Sequence, residues 1–399
     1  MVSNARHPAW LPAAMQPGAW AFGILYAVES VSRASLASVV PIQAYDLLQD
    51  KQGVSILYFI IGVAGMTATL CAPAIFQHFR RRTVYTAGAL ILVAASACLA
   101  MNTLAGQSAG MFLRILAAST LAITLNLYIM EFIPRQGFVR SESLRLSLGT
   151  LAWTIGPVLG VWFYVRFGHV APYLWSAAWS LILIAIFWSL RISGGKATAP
   201  RVARPVNPIA NIRRFVAQPR MRLAWLIAFG RSCYWNTFYI YAPILMVATG
   251  QQKLSGGLIV SFGNALLMFA IPWGRLGGRI GVRRVVVLSF IATALAAILA
   301  GLAGEAHPWV SALLLLSGVN FAVALDAVGS TPFFRAAHPF ERPQMTAVYR
   351  TNLDLSELLP PLIYSIILGF AGLGAVFVAL GLFCACCAWV AWRHLPRSM

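Results

Sequence analysis

The chain has 399 residues, of which 60% are apolar and only 10% charged. A water-soluble domain carries about 25% charged residues, so this composition excludes a soluble enzyme, a disordered protein and a coiled coil. With a mean hydropathy of +0.77, a bundle of membrane helices remains. The net charge of +20 would suggest nucleic acid in a soluble protein. Here it is a topological signal, because basic residues gather in the cytoplasmic loops of membrane proteins.

In chain order, the first apolar run is 18–46. It carries Glu29 and Arg33, which do not suit the apolar stretch of a signal peptide. Runs at 53–78 and 83–104 flank Arg80, Arg81 and Arg82. The fourth run, 108–133, has Arg114 toward its outer end and Glu131 toward its inner end. The fifth, 141–166, has Glu142 and Arg145 at its start, then Gly149 and Gly156-Pro157-Val158-Leu159-Gly160. The sixth is 171–191. Residues 193–219, rich in Pro, Arg and Ala, read as a cytoplasmic linker.

Six further runs follow. The run 221–249 holds Arg231 and a dense aromatic set, Tyr234, Trp235, Phe238, Tyr239 and Tyr241. These rings suit either packing or a stacking surface for a substrate. Runs 255–274 and 284–303 carry no charge in their cores, and 308–334 holds Asp326. The run 343–369 holds Arg350, Asp354, Glu357 and Pro361 at i, i+4, i+7 and i+11, one polar stripe. The last run is 372–392. The expected fold is therefore all-α and integral to the membrane, with twelve transmembrane helices. The cysteines all lie in apolar runs and read as small hydrophobes. No metal or cofactor is expected.

Placing the N-terminus inside puts 24 basic residues in the inner segments and three, Lys51, Arg166 and Lys253, outside. This split fixes the expected orientation, with both termini cytoplasmic. A shift of 202 residues superimposes Pro41 on Pro243, Lys51 on Lys253, and Arg81-Arg82 on Arg283-Arg284, within 9 identities over 44 ungapped positions. Six spans, a linker and six repeated spans predict two pseudo-symmetric six-helix bundles, 1–192 and 220–399, joined by 193–219.

A charge in mid-bilayer costs about 2.5–3.5 kcal/mol on insertion scales, so buried charges read as functional. Glu29, Arg33, Arg114, Arg231, Asp326, Arg350, Asp354 and Glu357 are the candidate substrate and proton sites. They fall on spans one, four, seven, ten and eleven. Glu29 and Arg33 form an i,i+4 pair, and the repeat carries Glu29 onto Arg231, which predicts a salt bridge between the halves in at least one conformation. Arg350 and Asp354 are expected partners, with Glu357 deeper. Histidines sit in loops or at span ends, so a coupling proton would ride on a carboxylate, with Glu29 ahead of Asp326 and Glu357.

These features resemble the major facilitator superfamily over nearly the whole chain. Gly274-Arg275-Leu276-Gly277-Gly278-Arg279-Ile280-Gly281-Val282-Arg283-Arg284 is similar to its loop motif G-x-L-x-D-R-x-G-R-R, with Gly278 in the Asp place. Gly274, Arg279, Gly281 and Arg283 would then serve gating. The earlier copy, ending at Arg82, lacks the glycines and the Asp. Gly156, Pro157 and Gly160 resemble the antiporter motif of drug:proton exporters. The resemblance implies a central cavity lined by spans one, four, seven and ten. The expected function is secondary transport of a small organic solute in a bacterial inner membrane, by alternating access and proton-coupled export, in a monomer. Uptake of an organic anion or sugar-like solute is the alternative. A membrane enzyme is a distant third, since no catalytic cluster such as HExxH occurs and no P-loop is present.

Overall fold

A computed structural model describes residues 18–76, 79–133, 138–190, 208–336 and 342–396. Residues 193–207 of the expected linker, and the N-terminal segment bearing Arg6, lie outside the described residues, as does the side chain of Glu142. Helices form in chain order as α1 (Ala19–Ala34), α2 (Val39–Leu48), α3 (Lys51–Phe76), α4 (Arg81–Ala100), α5 (Leu104–Phe132), α6 (Phe138–Phe167) and α7 (Ala171–Ser189). The short α8 (Pro208–Ala217) precedes α9 (Pro219–Ala248), α10 (Lys253–Ala265), α11 (Ala270–Ile280), α12 (Val282–Ala303), α13 (Pro308–Val328), α14 (Thr331–Ala336), α15 (Arg342–Leu368) and α16 (Leu373–His394).

Nine helical segments among the described residues are long and apolar enough to cross a membrane. Three expected spans fall outside that count. The first is broken into α1 and α2, while α9 and α15 carry several charged and polar side chains that lower their hydropathy. The break at Ser35–Ser38 has a local cause. Pro41 has no N–H to return to the preceding turn, and the Ser32 carbonyl is taken by the Ser35 hydroxyl at 3.0 Å and the Ser176 hydroxyl at 2.9 Å. The eighth expected span also breaks: Leu266–Phe269 tightens to a 3-10 turn ahead of Pro272. Gly281, at φ +93°, makes the reversal from α11 to α12, a conformation a side chain would strain.

Pro157 interrupts the ladder of α6. The Val158 N–H donates to the Ser261 hydroxyl of α10 at 3.0 Å, so a backbone group in the kinked helix is tied to the other half of the chain. Contacts between the halves run through α6 with α10, α3 with α15, and α2 with α9.

The apolar core shows how the halves meet. One cluster joins Leu36, Val39, Val40 and Leu57 of the first half to Phe238, Tyr241, Ile244 and Leu245 of the second. Toward the Arg-rich end the halves bury separate clusters. Phe22, Leu25, Tyr85, Leu121 and Phe187 form one. Phe215, Met221, Phe333 and Met345 form the other. The two halves thus share a core at the Lys51/Lys253 end and part at the other.

Candidate transport site

The first half contributes a knot of charge around the α1 break. Arg33 Nη1 donates to Glu29 Oε1 at 3.1 Å, with Glu29 1% and Arg33 30% exposed. Glu29 Oε2 finds no hydrogen-bond partner among the described residues. Arg145 lies within electrostatic reach of Glu29, places its guanidinium 4.9 Å from the Tyr26 ring centre, and donates to Asn126 at 2.9 Å. Glu29 therefore turns into the helices of its own half, while Arg33 reaches the edge of the opening.

Arg114, one of the candidate substrate or proton sites, contacts backbone at the α1 break in this conformation. Its guanidinium donates to the Arg33 carbonyl at 3.1 Å and to the Leu36 carbonyl at 3.4 Å. Both carbonyls also accept a backbone N–H, from Leu36 and from Val40, so Arg114 adds a second donor to each, and a cation there meets the negative end of the α1 dipole.

The antiporter-like glycines pack against the same break. A Cβ at Gly156 would lie 2.6 Å from the Ala34 methyl, and one at Gly160 would fall on the Ser35 carbonyl oxygen. Gly149 faces Tyr26 in the same row. The opposite side of this turn, at Pro157 and Val161, meets Gly257 of α10. Gly160→Val is expected to lower stability by about 1–3 kcal/mol through overpacking, seen as earlier melting of purified protein. Gly274→Ala, where an added Cβ meets nothing within 4 Å, should melt as wild type. Equal melting of all three proteins would contradict the packing role.

The second half builds its own pair. Arg231 Nη1 meets Asp326 Oδ1 at 2.9 Å, and Trp235 Nε1 donates to Asp326 Oδ2 at 2.8 Å. Trp235 stacks on Tyr239 with ring centres 5.6 Å apart. Trp153 of α6 meets Tyr239 edge-on at 6.0 Å across the halves. The expected salt bridge between Glu29 and Arg231 is not formed in this conformation, because each charge is neutralised inside its own half. Removing one partner of a buried pair costs about 3–5 kcal/mol. Asp326→Asn should fall at the low end, since the two side chains keep 27% and 19% exposure. The double variant Arg231→Met/Asp326→Leu should melt closer to wild type than the single one. A single variant as stable as wild type would remove the pair from the structural core.

On α15 the polar stripe divides. Asn352 and Ser356 are buried against α9, where Ser232 donates to Asn352 at 3.3 Å and Asn236 to Ser356 at 2.8 Å. Arg350, Asp354 and Glu357 stay exposed on the adjoining face. No ion pair joins Arg350 to Asp354 among the described residues, contrary to expectation; both side chains are exposed, so burial does not force them together. Glu357 has no hydrogen bond or ion pair among the described residues. It lies within electrostatic reach of Arg33 across the opening, beside Gly62 of α3, whose added Cβ would sit 3.6 Å from the Glu357 carbonyl.

The far end is closed by contacts the charge pattern did not single out. Lys253 pairs with Asp46, and Lys51 Nζ meets Glu305 at 2.7 Å. The two lysines are repeat equivalents, and each reaches into the opposite half. Ser55 and Tyr241 share a hydrogen bond of 2.7 Å just inside. Their only sequence signal was the coincidence of Lys51 and Lys253 under the repeat. At the other end Arg279 and Arg284 are exposed, and Arg283 donates to the Trp392 carbonyl at 2.5 Å.

Comparison with solved structures places this geometry. The nucleoside transporter NupG aligns at TM-score 0.73 with 14% identity, covering 94% of this chain and 98% of that one. A POT family transporter in complex with 5-aminolevulinic acid aligns at 0.76 with 13% identity, covering 96% of each. A peptide transporter POT in complex with sulfate aligns at 0.73 with 14% identity, covering 96% and 95%. At these identities the likeness is one of fold. Curated protein sequences give no match. The sequence profile of the Major Facilitator Superfamily matches residues 22–270 and 251–398, and the chain belongs to that superfamily.

Proposed function

We propose that the protein is a secondary active transporter that exports a small organic solute in exchange for protons. It works by alternating access between two six-helix bundles, 1–192 and 220–399, joined by 193–219. In this reading twelve helices span a bacterial inner membrane with both termini and the Arg-rich loops cytoplasmic, which makes the present conformation open to the cytoplasm. One observation carries the reading: the halves share an apolar core at one end only, and the charged groups flank the parted end. Arg33 and Glu357, on opposite halves, lie within electrostatic reach of each other.

The solute class follows from the walls. Trp235, Tyr239 and Trp153 offer flat apolar faces beside the Asp326 carboxylate. A molecule with a ring and an ionisable group fits both. Arg33, part exposed and at the opening, supports a second reading, uptake of an organic anion.

The experiment is transport in two vesicle orientations. A panel of ring-bearing cations, organic acids, sugars, nucleosides and peptides is first ranked by thermal shift on the purified protein. The best binder is then followed in everted and right-side-out vesicles with an imposed pH gradient. Export predicts proton-driven accumulation in everted vesicles. Accumulation only in right-side-out vesicles would establish uptake instead, and insensitivity to the gradient would exclude proton coupling.

A further inference from the structure

Outside the transport site, the second half carries a surface cavity with an unusual pairing of walls. At its Arg-rich end lies a pocket of about 1180 Å³, lined by Arg279, Arg283, Arg284 and Arg335 together with Trp392. These arginines come from α11, α12 and α14, and no carboxylate lines the pocket. Among the described residues none of the four makes an ion pair. The pocket also takes in the first residues of α12, whose backbone N–H groups have no intrahelical acceptor.

An apolar groove of about 400 Å³ continues from it along the outside of the bundle between α12 and α16. Ile291, Leu295, Ile298, Ala388 and Trp389 line the groove. Val287, Ile291 and Trp392 belong to both cavities. Trp389 and Trp392 are 54% and 59% exposed, the placement of interfacial aromatics.

The first half shows what happens when such arginines are meant for protein. The repeat equivalents of Arg283 and Arg284 are Arg81 and Arg82. Arg81 pairs with Glu131, and Arg82 lies 3.6 Å over the Trp188 ring. In the second half the stretch corresponding to Glu131 is Thr331–Ala336, which has no acid and presents Arg335 instead. The arginines are kept and the acidic partner is not; Arg283 donates instead to the Trp392 carbonyl, an uncharged group that leaves its positive charge unbalanced.

We infer that this cavity holds one phospholipid with a net negative headgroup. Its phosphate lies among Arg279, Arg283, Arg284 and Arg335, and an acyl chain runs along the groove between α12 and α16. Charge complementarity selects the headgroup, and the apolar groove continuous with the pocket demands a chain. Basic pockets between helices on the cytoplasmic side are suited to anionic headgroups. Bulk lipid would satisfy exposed arginines anywhere on the rim, but it would not require the concave groove.

The test is a binding titration on full-length purified protein in detergent. The probes are a short-chain phosphatidylglycerol, the matching phosphatidylcholine, and glycerol 3-phosphate, read by native mass spectrometry. Phosphatidylglycerol should bind tighter than phosphatidylcholine. Arg284→Gln/Arg335→Gln should weaken it by about fivefold for each guanidinium removed, with Arg220→Gln, in a separate groove, showing no loss. Ile291→Trp, which fills the groove and leaves every arginine in place, should weaken both lipids. Equal binding of the two lipids, an unchanged double variant, or a loss in Arg220→Gln as large as in the double variant would overturn the proposal. So would glycerol 3-phosphate binding as tightly as phosphatidylglycerol, which would mark a site for free phosphate.

Discussion

Glu357→Gln should collapse proton-driven accumulation of the transported solute while leaving solute-for-solute exchange intact. With one proton per cycle, a pH difference of one unit supports about tenfold accumulation, since each unit is worth about 1.36 kcal/mol. The variant should show none. The reason is geometric. A coupling carboxylate must reach water and must be free to exchange its proton when the helices move. Glu357 is exposed, has no hydrogen bond or ion pair among the described residues, and lies within electrostatic reach of Arg33 on the other half. Glu29 is 1% exposed and bonded to Arg33, and Asp326 is held by Arg231 and Trp235. Glu29→Gln and Asp326→Asn should therefore lower the amount or rate of functional protein without uncoupling it. If Glu357→Gln keeps wild-type accumulation at normal protein level and Glu29→Gln loses it, the proton rides on Glu29.

The second large effect concerns the closed end. Lys51→Glu/Lys253→Glu is expected to shift the population away from the conformation described here, by about 30-fold. Exposed ion pairs contribute about 0.2–1 kcal/mol each, and the double variant turns two attractions into two repulsions, a change of about 2 kcal/mol. Spin labels or cysteine cross-links across the Lys51 end of α3 and the Lys253 end of α10 would report it. Adding Asp46→Lys and Glu305→Lys should restore closure. A double variant with wild-type distances would mean that the shared apolar core closes this end alone. Acidity has a defined effect on the Glu305 pair. Partial burial raises its pKa, but the Lys51 ammonium and the Leu373 N–H more than offset this and hold the carboxyl below its ordinary value. Its contribution is therefore complete above about pH 4.3, the ordinary glutamate value, and disappears only as pH falls through the depressed one. Closure should be level between pH 8 and pH 5.

Much of this architecture was legible in the sequence because membrane helices announce themselves by length and hydropathy. Most of the expected runs sit within a residue range occupied by one long helix. The repeat also carried real information, since Lys51 and Lys253 close the same end. What hydropathy could not supply was the direction of each side chain around its helix. Glu29 and Arg231 coincide under the repeat, yet each had a nearer partner, Arg33 one turn away and Asp326 on α13. Nothing in the apolar pattern revealed that α1 ends at Ser35, so the contacts of Arg114 with the backbone there were not legible. Pro41 was the available signal for that break. On α15, the i, i+4, i+7 spacing puts Arg350, Asp354 and Glu357 on one face by helix geometry, and all three are exposed. It could not say that the neighbouring face, Asn352 and Ser356, would take the hydrogen bonds to α9.

The one-sided core has a thermal consequence. Opening the far end bares Leu36, Val40, Leu57 and their partners in the second half to water, whereas the end that closes in return is rich in arginine. Exposing apolar surface raises heat capacity. The switch between the two conformations should therefore carry a positive heat-capacity change toward the form open at the Lys51/Lys253 end, and its equilibrium should curve with temperature. Because apolar attraction weakens on cooling, cold should unlatch that end first. A transporter of this build would show its temperature dependence in which side it rests open to, and a step rate that looks like a single activation barrier at 37 °C would bend when followed toward 4 °C.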